Sequence, residues 1–298
     1  MDDSRLIKAV IDIGTNTFNL LIAEKLDIGI TVIESHKVAV SLGMGGINEG
    51  YLTEDAMNRA MRAFEVFREK LLPYDVKPVL IATSAVRDAK NAKAFVDIVK
   101  EDFGWGIDVI SGDQEAQLIY RGVTLCFPFN EHAMIMDIGG GSTEFIEADQ
   151  NGVISAISLN IGVSRLYQGF SVQDPFTIED IDQIENFLEE NSEGFFDEMQ
   201  VDTLIGSSGT FETFYELIYR KPFPEGSEVL ELELKPFEQS LDTLIHSTLE
   251  ERNKNEFIIP IRKKMAPFAA VKTRWVMRKL KPKKVILSPF SLKEGALV

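Results

Sequence analysis

The stretch Ile135-Met136-Asp137-Ile138-Gly139-Gly140-Gly141-Ser142-Thr143-Glu144-Phe145-Ile146 sets the architecture of this 298-residue chain. An apolar run ends at Asp137, a glycine-rich segment follows, and a second apolar run begins after Glu144. Because two short apolar runs around such a segment are typical of strands joined by a tight turn, the stretch predicts strand, turn and strand.

The turn has the composition of a phosphate-binding loop. Glycines place no side chain over the backbone, so the N–H groups of Gly139, Gly140 and Gly141 can close around phosphate oxygens. Ser142 and Thr143 add hydroxyl donors. We therefore predict that these five residues bind phosphate.

Asp137 lies at the end of the first predicted strand, where its carboxylate would repel a phosphate group. A divalent cation such as Mg²⁺, held between the carboxylate and the phosphate, removes that repulsion. Glu144, at the start of the second strand, is a candidate second ligand. The sequence thus predicts a Mg²⁺ site at Asp137 and Glu144.

The stretch has a counterpart earlier in the chain. Residues Ile11–Leu20 match Met136–Phe145 in register at an offset of 125 residues, and both copies contain Asp-Ile-Gly followed by a polar turn. A repeat of this length is a half-molecule rather than a solenoid unit, so we expect two similar lobes whose turns face each other across a cleft. The alternative is a pair of ordinary glycine-rich hairpins. The first copy adds four phosphate-binding candidates, namely Gly14, Thr15, Asn16 and Thr17.

Five segments form an ordered series along the chain: Asp12–Leu20, Ala82–Asn91, Ser111–Val123, Asp137–Glu144 and Gly206–Thr210. Their order and spacing resemble those of the exopolyphosphatase / guanosine pentaphosphate phosphohydrolase family, which belongs to the actin-like, sugar-kinase-like ATPase superfamily. The resemblance extends over nearly the whole chain. It implies an α/β fold of two ribonuclease-H-like (actin-like ATPase) domains with an interdomain cleft. We expect the N-terminal domain at residues 1–128 and the C-terminal domain at residues 129–298.

Glu115 is the candidate general base. It follows Ser111-Gly112-Asp113-Gln114, whose Ser-x-x-Gln pattern is that of a capping box and predicts the start of a helix. The helix dipole favours a carboxylate in the first turn without any catalytic role, which is the alternative interpretation. In the family the corresponding glutamate activates the attacking water. The resemblance therefore implies that Glu115 accepts a proton during phosphoryl transfer to water.

Arg87 follows a strand predicted at residues 79–83. The resemblance implies that its planar guanidinium grips an oxyanion of the substrate. The alternative is a surface arginine that pairs with Asp88 or with a carboxylate elsewhere.

A short glycine-containing turn precedes a predicted helix near Phe211. In the superfamily the corresponding loop contacts the nucleoside of a nucleotide, so the resemblance implies nucleotide binding here. The spacing is not Gly-x-Ser-x-Gly, which argues against a serine hydrolase. The candidate nucleotide-binding residues are Gly206, Ser207, Ser208, Gly209 and Thr210.

The net charge of −16 argues against nucleic-acid binding, which requires a basic surface. Residues 252–284 differ from the rest of the chain, since they hold twelve Lys and Arg residues against one acid. This basic block could line a channel for anions, or it could be the solvated face of a helix.

The sequence indicates a cytoplasmic protein that has no membrane partner. No apolar run reaches the ~20 residues of a membrane span, and the first residues lack the basic and apolar regions of a signal peptide. Cys126 is the single cysteine, so an internal disulfide is excluded.

Local patterns predict several further elements. Thr53 is a candidate N-cap for a helix that ends before Pro73, and Thr177 is a candidate N-cap for an acidic helix. Two separate strands are expected at residues 28–34 and 37–42, and an exposed strand at residues 224–235.

The predicted function is that of an exopolyphosphatase, which removes terminal phosphate from inorganic polyphosphate with Mg²⁺ or another divalent cation. Hydrolysis of guanosine pentaphosphate is the nearest alternative, and an ATP-dependent kinase of the same superfamily is another. A protein of a different class, a sensor that binds guanosine tetraphosphate or another nucleotide without hydrolysis, also stays open. Asn19 stands where family members often have His or Arg, which weakens a firm statement about binding of such guanosine nucleotides and keeps the non-hydrolytic sensor open. The oligomeric state is open, with a homodimer as one alternative.

Overall fold

Two β-sheets organise the chain, and each lies in its own compact unit. The structure is a computed structural model that describes residues 6–192, 194–197 and 199–298. The first unit comprises the described residues up to Leu125 together with Phe290–Val298, and the second unit comprises Cys126–Pro289. This mixed α/β architecture with two sheets confirms the predicted fold class.

The first unit contains a five-stranded sheet with helices packed on it. Its strands are β1 (Ile7–Ile13), β2 (Thr17–Lys25), β3 (Ile30–Ala39), β4 (Val79–Ala82) and β5 (Ile107–Val109). Its helices are α1 (Glu54–Leu71), α2 (Ser84–Arg87), α3 (Ala92–Phe103), α4 (Gly112–Thr124) and the last helix of the chain, α11 (Leu292–Gly295). The strand order is β3-β2-β1-β4-β5, in which β1, β2 and β3 are antiparallel and β4 and β5 run parallel to β1.

The core of the first unit is built around aromatic side chains. The Phe64 ring of α1 lies 5.2 Å from the Phe18 ring of β2 and 6.1 Å from the Trp105 ring, measured between centroids. The predicted N-cap of α1 is confirmed, because the Thr53 hydroxyl accepts a hydrogen bond from the backbone N–H of Ala56. The cap and the buried apolar face together fix α1 against the sheet.

The strand pair expected at residues 28–34 and 37–42 is instead one strand, β3. It pairs with β2 along its whole length and has one register shift, between Ile22 and Ala23 of β2. Exposed and partly buried residues alternate along most of β3, as expected for the edge strand of a sheet that is covered on one face. The polar residues between the two predicted strands therefore continue the strand instead of turning the chain.

The second unit contains a six-stranded sheet of order β10-β11-β9-β6-β7-β8. Its strands are β6 (Ala133–Ile138), β7 (Thr143–Asp149), β8 (Gly152–Leu159), β9 (Thr203–Ser207), β10 (Leu230–Leu232) and β11 (Lys284–Leu287). Its helices are α5 (Val163–Gly169), α6 (Ile178–Asn191), α7 (Gly209–Tyr219), α8 (Leu234–Ile245), α9 (Leu249–Lys254) and α10 (Ala266–Leu280). Among the helices of the described residues, none combines the length and the apolar composition needed to span a bilayer. The strand expected at residues 224–235 is only the short β10, since α8 begins at Leu234.

The sequence repeat is a structural repeat. In the β1–β2 hairpin Ile13 pairs with Phe18, and in the β6–β7 hairpin Ile138 pairs with Thr143, so each turn contains four residues. Each unit then adds two strands parallel to its first strand, β4 and β5 in the first unit and β9 and β11 in the second. The two units thus share one strand plan, the ribonuclease-H-like plan that the resemblance implies.

The division between the units differs from the predicted boundary at residues 128 and 129. The first unit ends at Leu125, and residues 290–298, which were expected in the second domain, belong to the first unit. The reason is a close contact between α4 and α11. A Cβ atom on Gly295 would lie 1.8 Å from the carbonyl oxygen of Leu118, and a Cβ atom on Gly122 would lie 1.8 Å from the carbonyl oxygen of Ser291. The backbones of α4 and α11 can approach this closely because both residues at the contact, Gly122 and Gly295, are glycine.

We predict that Gly295→Ala lowers the free energy of unfolding of the first unit by about 1–3 kcal/mol, because the added methyl group overlaps the backbone of α4. Urea unfolding followed by Trp105 fluorescence in a Trp275→Phe background measures this unit. Gly106→Ala is the matched control, since no atom lies within 4 Å of the Cβ position of Gly106. Equal unfolding midpoints for Gly295→Ala and Gly106→Ala would contradict the proposed packing.

Candidate active site

Four polar side chains form a row across the sheet of the second unit. Asp137 of β6 pairs with Glu144 of β7, and their outer neighbours in register are Ser207 of β9 and Ser158 of β8. Because directly paired residues project from the same face of a sheet, all four side chains share one face. The Ser207 hydroxyl donates to Asp137 Oδ2 over 2.5 Å, and the Ser158 hydroxyl donates to Glu144 Oε1 over 2.7 Å. The two carboxylates are thus buried and held in place from both sides.

The glycine turn between β6 and β7 is held by the start of α5. The carbonyl oxygens of Gly139, Gly140 and Gly141 accept hydrogen bonds from the backbone N–H groups of Val163 (3.1 Å), Ser164 (2.7 Å) and Gly162 (3.2 Å), respectively. The Arg165 guanidinium also donates to the Gly141 carbonyl, over 2.8 Å. Three successive carbonyls of the turn therefore point towards α5.

This arrangement fixes the direction of the next three N–H groups. In a trans peptide the carbonyl and the following N–H point in opposite directions, and none of the peptide bonds in this turn is cis. The N–H groups of Gly140, Gly141 and Ser142 therefore point away from α5. Successive N–H groups that point to one side form a concave anion-binding site. We call this set the amide nest.

The close approach of α5 depends on a second glycine. A Cβ atom on Gly162 would lie 2.3 Å from the carbonyl oxygen of Gly140 and 2.3 Å from the carbonyl carbon of Gly141. Any other residue at position 162 would therefore push α5 and the turn apart.

The turn of the first unit has a similar anchor. The Thr15 carbonyl accepts from the Gly43 N–H over 3.1 Å, and the Asn16 carbonyl accepts from the N–H groups of Val40 and Ser41. The N–H groups of Asn16 and Thr17 consequently point the opposite way. The buried Thr15 hydroxyl lies 3.1 Å from the Ser84 hydroxyl, and the Gly14 N–H bonds to the Thr17 carbonyl.

The two hairpins differ in the chemistry of one equivalent position. Asn19 of β2 pairs with Asp12 of β1 in the way that Glu144 pairs with Asp137. Its side-chain amide donates to Asp12 Oδ2 over 2.9 Å. An amide donor at this place makes the first hairpin a site with one carboxylate, whereas the second hairpin has two.

The paired carboxylates fit a Mg²⁺ ion. Mg²⁺ in proteins binds through one or two carboxylates and completes its shell with water and substrate phosphates. Asp137 and Glu144 supply two such oxygen donors beside the amide nest, where a phosphate would supply the others. Within the described residues there is no cluster of three or more His, Cys, Asp or Glu side chains that would make an all-protein cage. A carboxylate pair without such a cage is the donor set expected for Mg²⁺ rather than for Zn²⁺.

Arg87 and Glu115 are brought together in the first unit. Arg87 Nη1 donates to Glu115 Oε2 over 2.8 Å and to the Ile110 carbonyl over 3.3 Å, and Arg87 Nε lies 3.5 Å from Asp88 Oδ1. The predicted capping box is confirmed, since the Ser111 and Gln114 side chains cap α4 reciprocally. It places Glu115 in the first turn with its side chain buried. These ion pairs match the alternative interpretation, in which Arg87 pairs with Asp88 or with another carboxylate of the protein. The binding of a substrate oxyanion by Arg87 stays a prediction.

In the predicted nucleotide-binding turn, Gly206–Thr210, both serine hydroxyls form hydrogen bonds within the protein. Ser207 bonds to Asp137, and the Ser208 hydroxyl donates to the Ile138 carbonyl over 3.0 Å. Gly209 at the start of α7 is covered by Arg262, because a Cβ atom on Gly209 would lie 1.8 Å from Arg262 Nη2. The two serines of this turn therefore hold the end of β6 in place through hydrogen bonds. Nucleotide binding by the turn stays a prediction.

The basic block forms ion pairs within the second unit. On α10, Arg274 and Arg278 contact Glu185 of α6, and Lys279 contacts Glu189 of the same helix. The structure therefore favours a helix surface over a channel for these residues. Lys272 is different, since it is completely buried and its ammonium donates to the Thr143 hydroxyl. Burial lowers the pKa of Lys272 to about 7, although the charges of Glu144 and Asp137 act to raise it.

Sequence reasoning did not identify Lys272, Gly162 or Arg165 as parts of the site. A signal for Lys272 exists, because it follows Ala269, Ala270 and Val271 in a helix that is buried around it. A lysine on the apolar face of a helix indicates an internal partner. The contacts of Gly162 and Arg165 involve backbone carbonyls, for which side-chain patterns carry no signal.

A family model and a solved structure match this chain over most of its length. The model of the Ppx/GppA phosphatase family matches residues 21–298. The structure is similar to the crystal structure of an exopolyphosphatase from Cytophaga hutchinsonii, with a TM-score of 0.92, 34% identity, and coverage of 98% of this chain and 96% of that chain.

Two curated relatives are longer than this chain. A bifunctional 3-dehydroquinate synthase/phosphatase from Fusobacterium nucleatum is 33% identical over 70% of this chain and 34% of its own length. A guanosine-5'-triphosphate,3'-diphosphate pyrophosphatase from Photobacterium profundum is 30% identical over 73% of this chain and 44% of its own length. The similarity thus spans between a third and a half of the length of these relatives.

We predict that Gly162→Ala weakens phosphate binding by about tenfold or more, because the added methyl group displaces the turn and misaligns the amide nest. Isothermal titration calorimetry with methylenediphosphonate, a non-hydrolysable diphosphate, measures the effect in the presence of Mg²⁺. Gly106→Ala serves as the control for loss of glycine. Unchanged affinity in a folded Gly162→Ala variant would show that the turn does not bind the phosphate.

Proposed function

The chain belongs to the Ppx/GppA phosphatase family, and we propose that it hydrolyses the terminal phosphoanhydride bond of inorganic polyphosphate with the help of a divalent cation. The observation that carries this proposal is the amide nest of Gly140, Gly141 and Ser142 beside the buried pair Asp137 and Glu144. Anion donors next to cation ligands suit a phosphate chain whose charge is shared with a bound cation.

The amide nest binds oxygens of the phosphate chain. Backbone N–H groups cost no side-chain entropy when they bind, and their direction is fixed in advance by α5. The Thr143 hydroxyl and the backbone of Thr15–Thr17 are the further phosphate-binding groups that we assign. Fixed donors of this kind stabilise the charge that develops on the phosphoryl oxygens.

Asp137 and Glu144 would hold the cation. When bound, Mg²⁺ neutralises charge on the phosphate oxygens and polarises the bond to the leaving group. The hydroxyls of Ser207 and Ser158 donate to the two carboxylates and keep them in place, as hydrogen-bond donors to the ligands of a cation do.

Glu115 is the assigned proton acceptor for the attacking water. Its Oε2 is held by Arg87 Nη1, and its helix begins at a reciprocal capping box, so the carboxylate has a fixed position. A general base acts efficiently only when it is held within hydrogen-bond reach of the proton that it removes. Arg87 thus orients the base, and we assign it the further role of binding an oxyanion of the chain.

Two observations favour polyphosphate over guanosine pentaphosphate. The hydroxyls of Ser207 and Ser208, which belong to the predicted nucleotide-binding turn, hold Asp137 and the end of β6. Arg262 covers Gly209 in the same turn, which restricts the room for a nucleoside. In addition, the similar protein from Cytophaga hutchinsonii is described as an exopolyphosphatase.

Guanosine pentaphosphate is the second candidate substrate. Gly206–Thr210 leads into the start of α7, and a helix N-terminus that is preceded by glycine can receive an anionic ligand. The relative from Photobacterium profundum, which is named for activity on such a nucleotide, agrees with this candidate.

We expect kcat/KM for phosphate release to be higher with long-chain polyphosphate than with guanosine pentaphosphate, and release to fall to background when EDTA removes the cation. A phosphate-release assay with both substrates at equal concentration of terminal phosphate measures the ratio. The reverse preference would establish the second candidate. Calorimetric binding of guanosine tetraphosphate without any phosphate release would identify a sensor.

Glu115→Gln is expected to lower kcat for phosphate release by about 10²–10⁴-fold, because glutamine keeps the shape of the side chain but cannot accept the proton. Affinity for methylenediphosphonate should change little. Asp113→Asn is the matched control, since Asp113 is an exposed acid in the same helical turn. If Glu115→Gln and Asp113→Asn retain similar activity, Glu115 is not the base.

A further inference from the structure

Arg59 of α1 holds the segment that anchors the turn of the first unit. Its Nε donates to the Val40 carbonyl over 2.6 Å, and its Nη2 donates to the Ser41 carbonyl over 2.8 Å. Among the residues that the structure describes, no carboxylate forms an ion pair with Arg59. Hydrogen bonds from an ionised donor are roughly twice as strong as those from a neutral donor. The positive charge of Arg59 therefore acts on two backbone carbonyls.

Val40 and Ser41 are also the residues that bond to the turn. Their N–H groups both donate to the Asn16 carbonyl, over 2.9 and 2.8 Å respectively. Ser41 has a left-handed backbone conformation with φ of 52°, which is uncommon for a residue other than glycine. Such a conformation persists where the surrounding contacts fix it. Asn16 and Arg59 supply these contacts, because the first accepts from the Ser41 N–H and the second donates to the Ser41 carbonyl.

The hydrogen bonds run without a break through two peptide groups. The Val40 carbonyl and the Ser41 N–H belong to one peptide group, and the Asn16 carbonyl and the Thr17 N–H belong to another. In a trans peptide the carbonyl accepts on one side and the N–H donates on the other. The series therefore starts at Arg59 Nε, passes through the Val40–Ser41 peptide and the Asn16–Thr17 peptide, and ends at the Thr17 N–H. We call it the hydrogen-bond chain.

A positive charge at one end of such a chain polarises each peptide group in turn, so the hydrogen bonds strengthen one another. The N–H at the other end becomes a stronger donor. Its direction is also fixed, because α1 is packed on the sheet and holds Arg59 in place. Both effects favour the binding of an anion at the Thr17 N–H.

The second unit has a shorter form of the same arrangement. Arg165 Nε donates to the Gly141 carbonyl over 2.8 Å. That carbonyl belongs to the same peptide group as the Ser142 N–H of the amide nest. A helix arginine is thus separated from a phosphate-binding N–H by one peptide group in the second unit and by two in the first.

We propose that Arg59 is a positioning residue for substrate binding, which orients and polarises the Thr17 N–H through the hydrogen-bond chain, so that its charge strengthens the binding of a phosphate group that it does not touch. This inference rests on the proposed function in one respect, because it takes the Thr17 N–H as a phosphate-binding group.

Substitutions at Arg59 separate its charge from its hydrogen bonds. Arg59→Gln keeps a neutral donor, whereas Arg59→Lys keeps the positive charge. We expect Arg59→Gln to weaken the binding of methylenediphosphonate in the presence of Mg²⁺ by about tenfold, and Arg59→Lys to weaken it less. Isothermal titration calorimetry of the full chain measures both affinities.

Arg62→Gln is the matched control, because Arg62 lies on the same helix and is exposed. It should bind the diphosphonate as tightly as the wild type. Equal affinities of Arg59→Gln and Arg62→Gln would overturn the proposal. Equal losses in Arg59→Gln and Arg59→Lys would also overturn it, since the charge would then have no effect.

Backbone amide NMR of the ¹⁵N-labelled wild-type protein tests the hydrogen-bond chain without any substitution, and therefore applies even if the Arg59 variants do not fold. As methylenediphosphonate and Mg²⁺ are added, the amide protons of Thr17 and Ser41 should both shift downfield, because a stronger last hydrogen bond strengthens the one before it. A shift at Thr17 without a shift at Ser41 would overturn the proposal.

The same spectra distinguish failure of this inference from failure of the proposed function. Shifts confined to the glycine turn of the second unit would show that Thr17 does not bind phosphate, which overturns the role of Arg59 and leaves the amide nest in place. The absence of any amide shift would overturn the proposed function itself.

Discussion

The hydrogen bonds between the glycine turn and the start of α5 are the interaction on which the rest of the site depends. They turn three carbonyls of Gly139–Gly141 towards Gly162–Ser164, and peptide geometry then turns the following N–H groups the other way. Glycine at position 162 makes this close approach possible, since a Cβ atom on Gly162 would overlap the turn. The anion-binding groups are therefore fixed before any ligand arrives, which is the condition for strong electrostatic stabilisation.

The two hairpins show how one backbone plan supports different chemistry. Both have four-residue turns with carbonyls that are bonded to a following segment, and both begin from an aspartate at the end of a central strand. At the equivalent partner position the second hairpin has Glu144, whereas the first has Asn19, which donates to Asp12. Two carboxylates attract a divalent cation strongly. A single carboxylate that is hydrogen-bonded to a neutral amide attracts it less. This difference supports the proposed cation site at Asp137 and Glu144 of the second unit.

Much of the fold could be predicted from the sequence because its signals are local. The glycine turns, the capping box at Ser111, and the N-caps at Thr53 and Thr177 each depend on residues close together in the chain. Lys272 could not be placed in the same way, since it meets Thr143 across 129 positions. The return of α11 to α4 depends on two glycines far apart in sequence, so the domain boundary was also missed. β3 lies at the edge of its sheet, where polar residues are tolerated within a strand. The sequence had indicated those residues as a break between two strands.

The central claim is that the N–H groups of the glycine turn bind the phosphate chain. Backbone amide NMR of the full chain with ¹⁵N-labelled glycine tests it most directly, as methylenediphosphonate and Mg²⁺ are added. The account predicts that Gly140 and Gly141 show the largest downfield shifts of the amide protons among the 21 glycines, because both N–H groups form hydrogen bonds to phosphate oxygens. Unchanged signals for these two residues, with shifts at Gly206 and Gly209 instead, would contradict it.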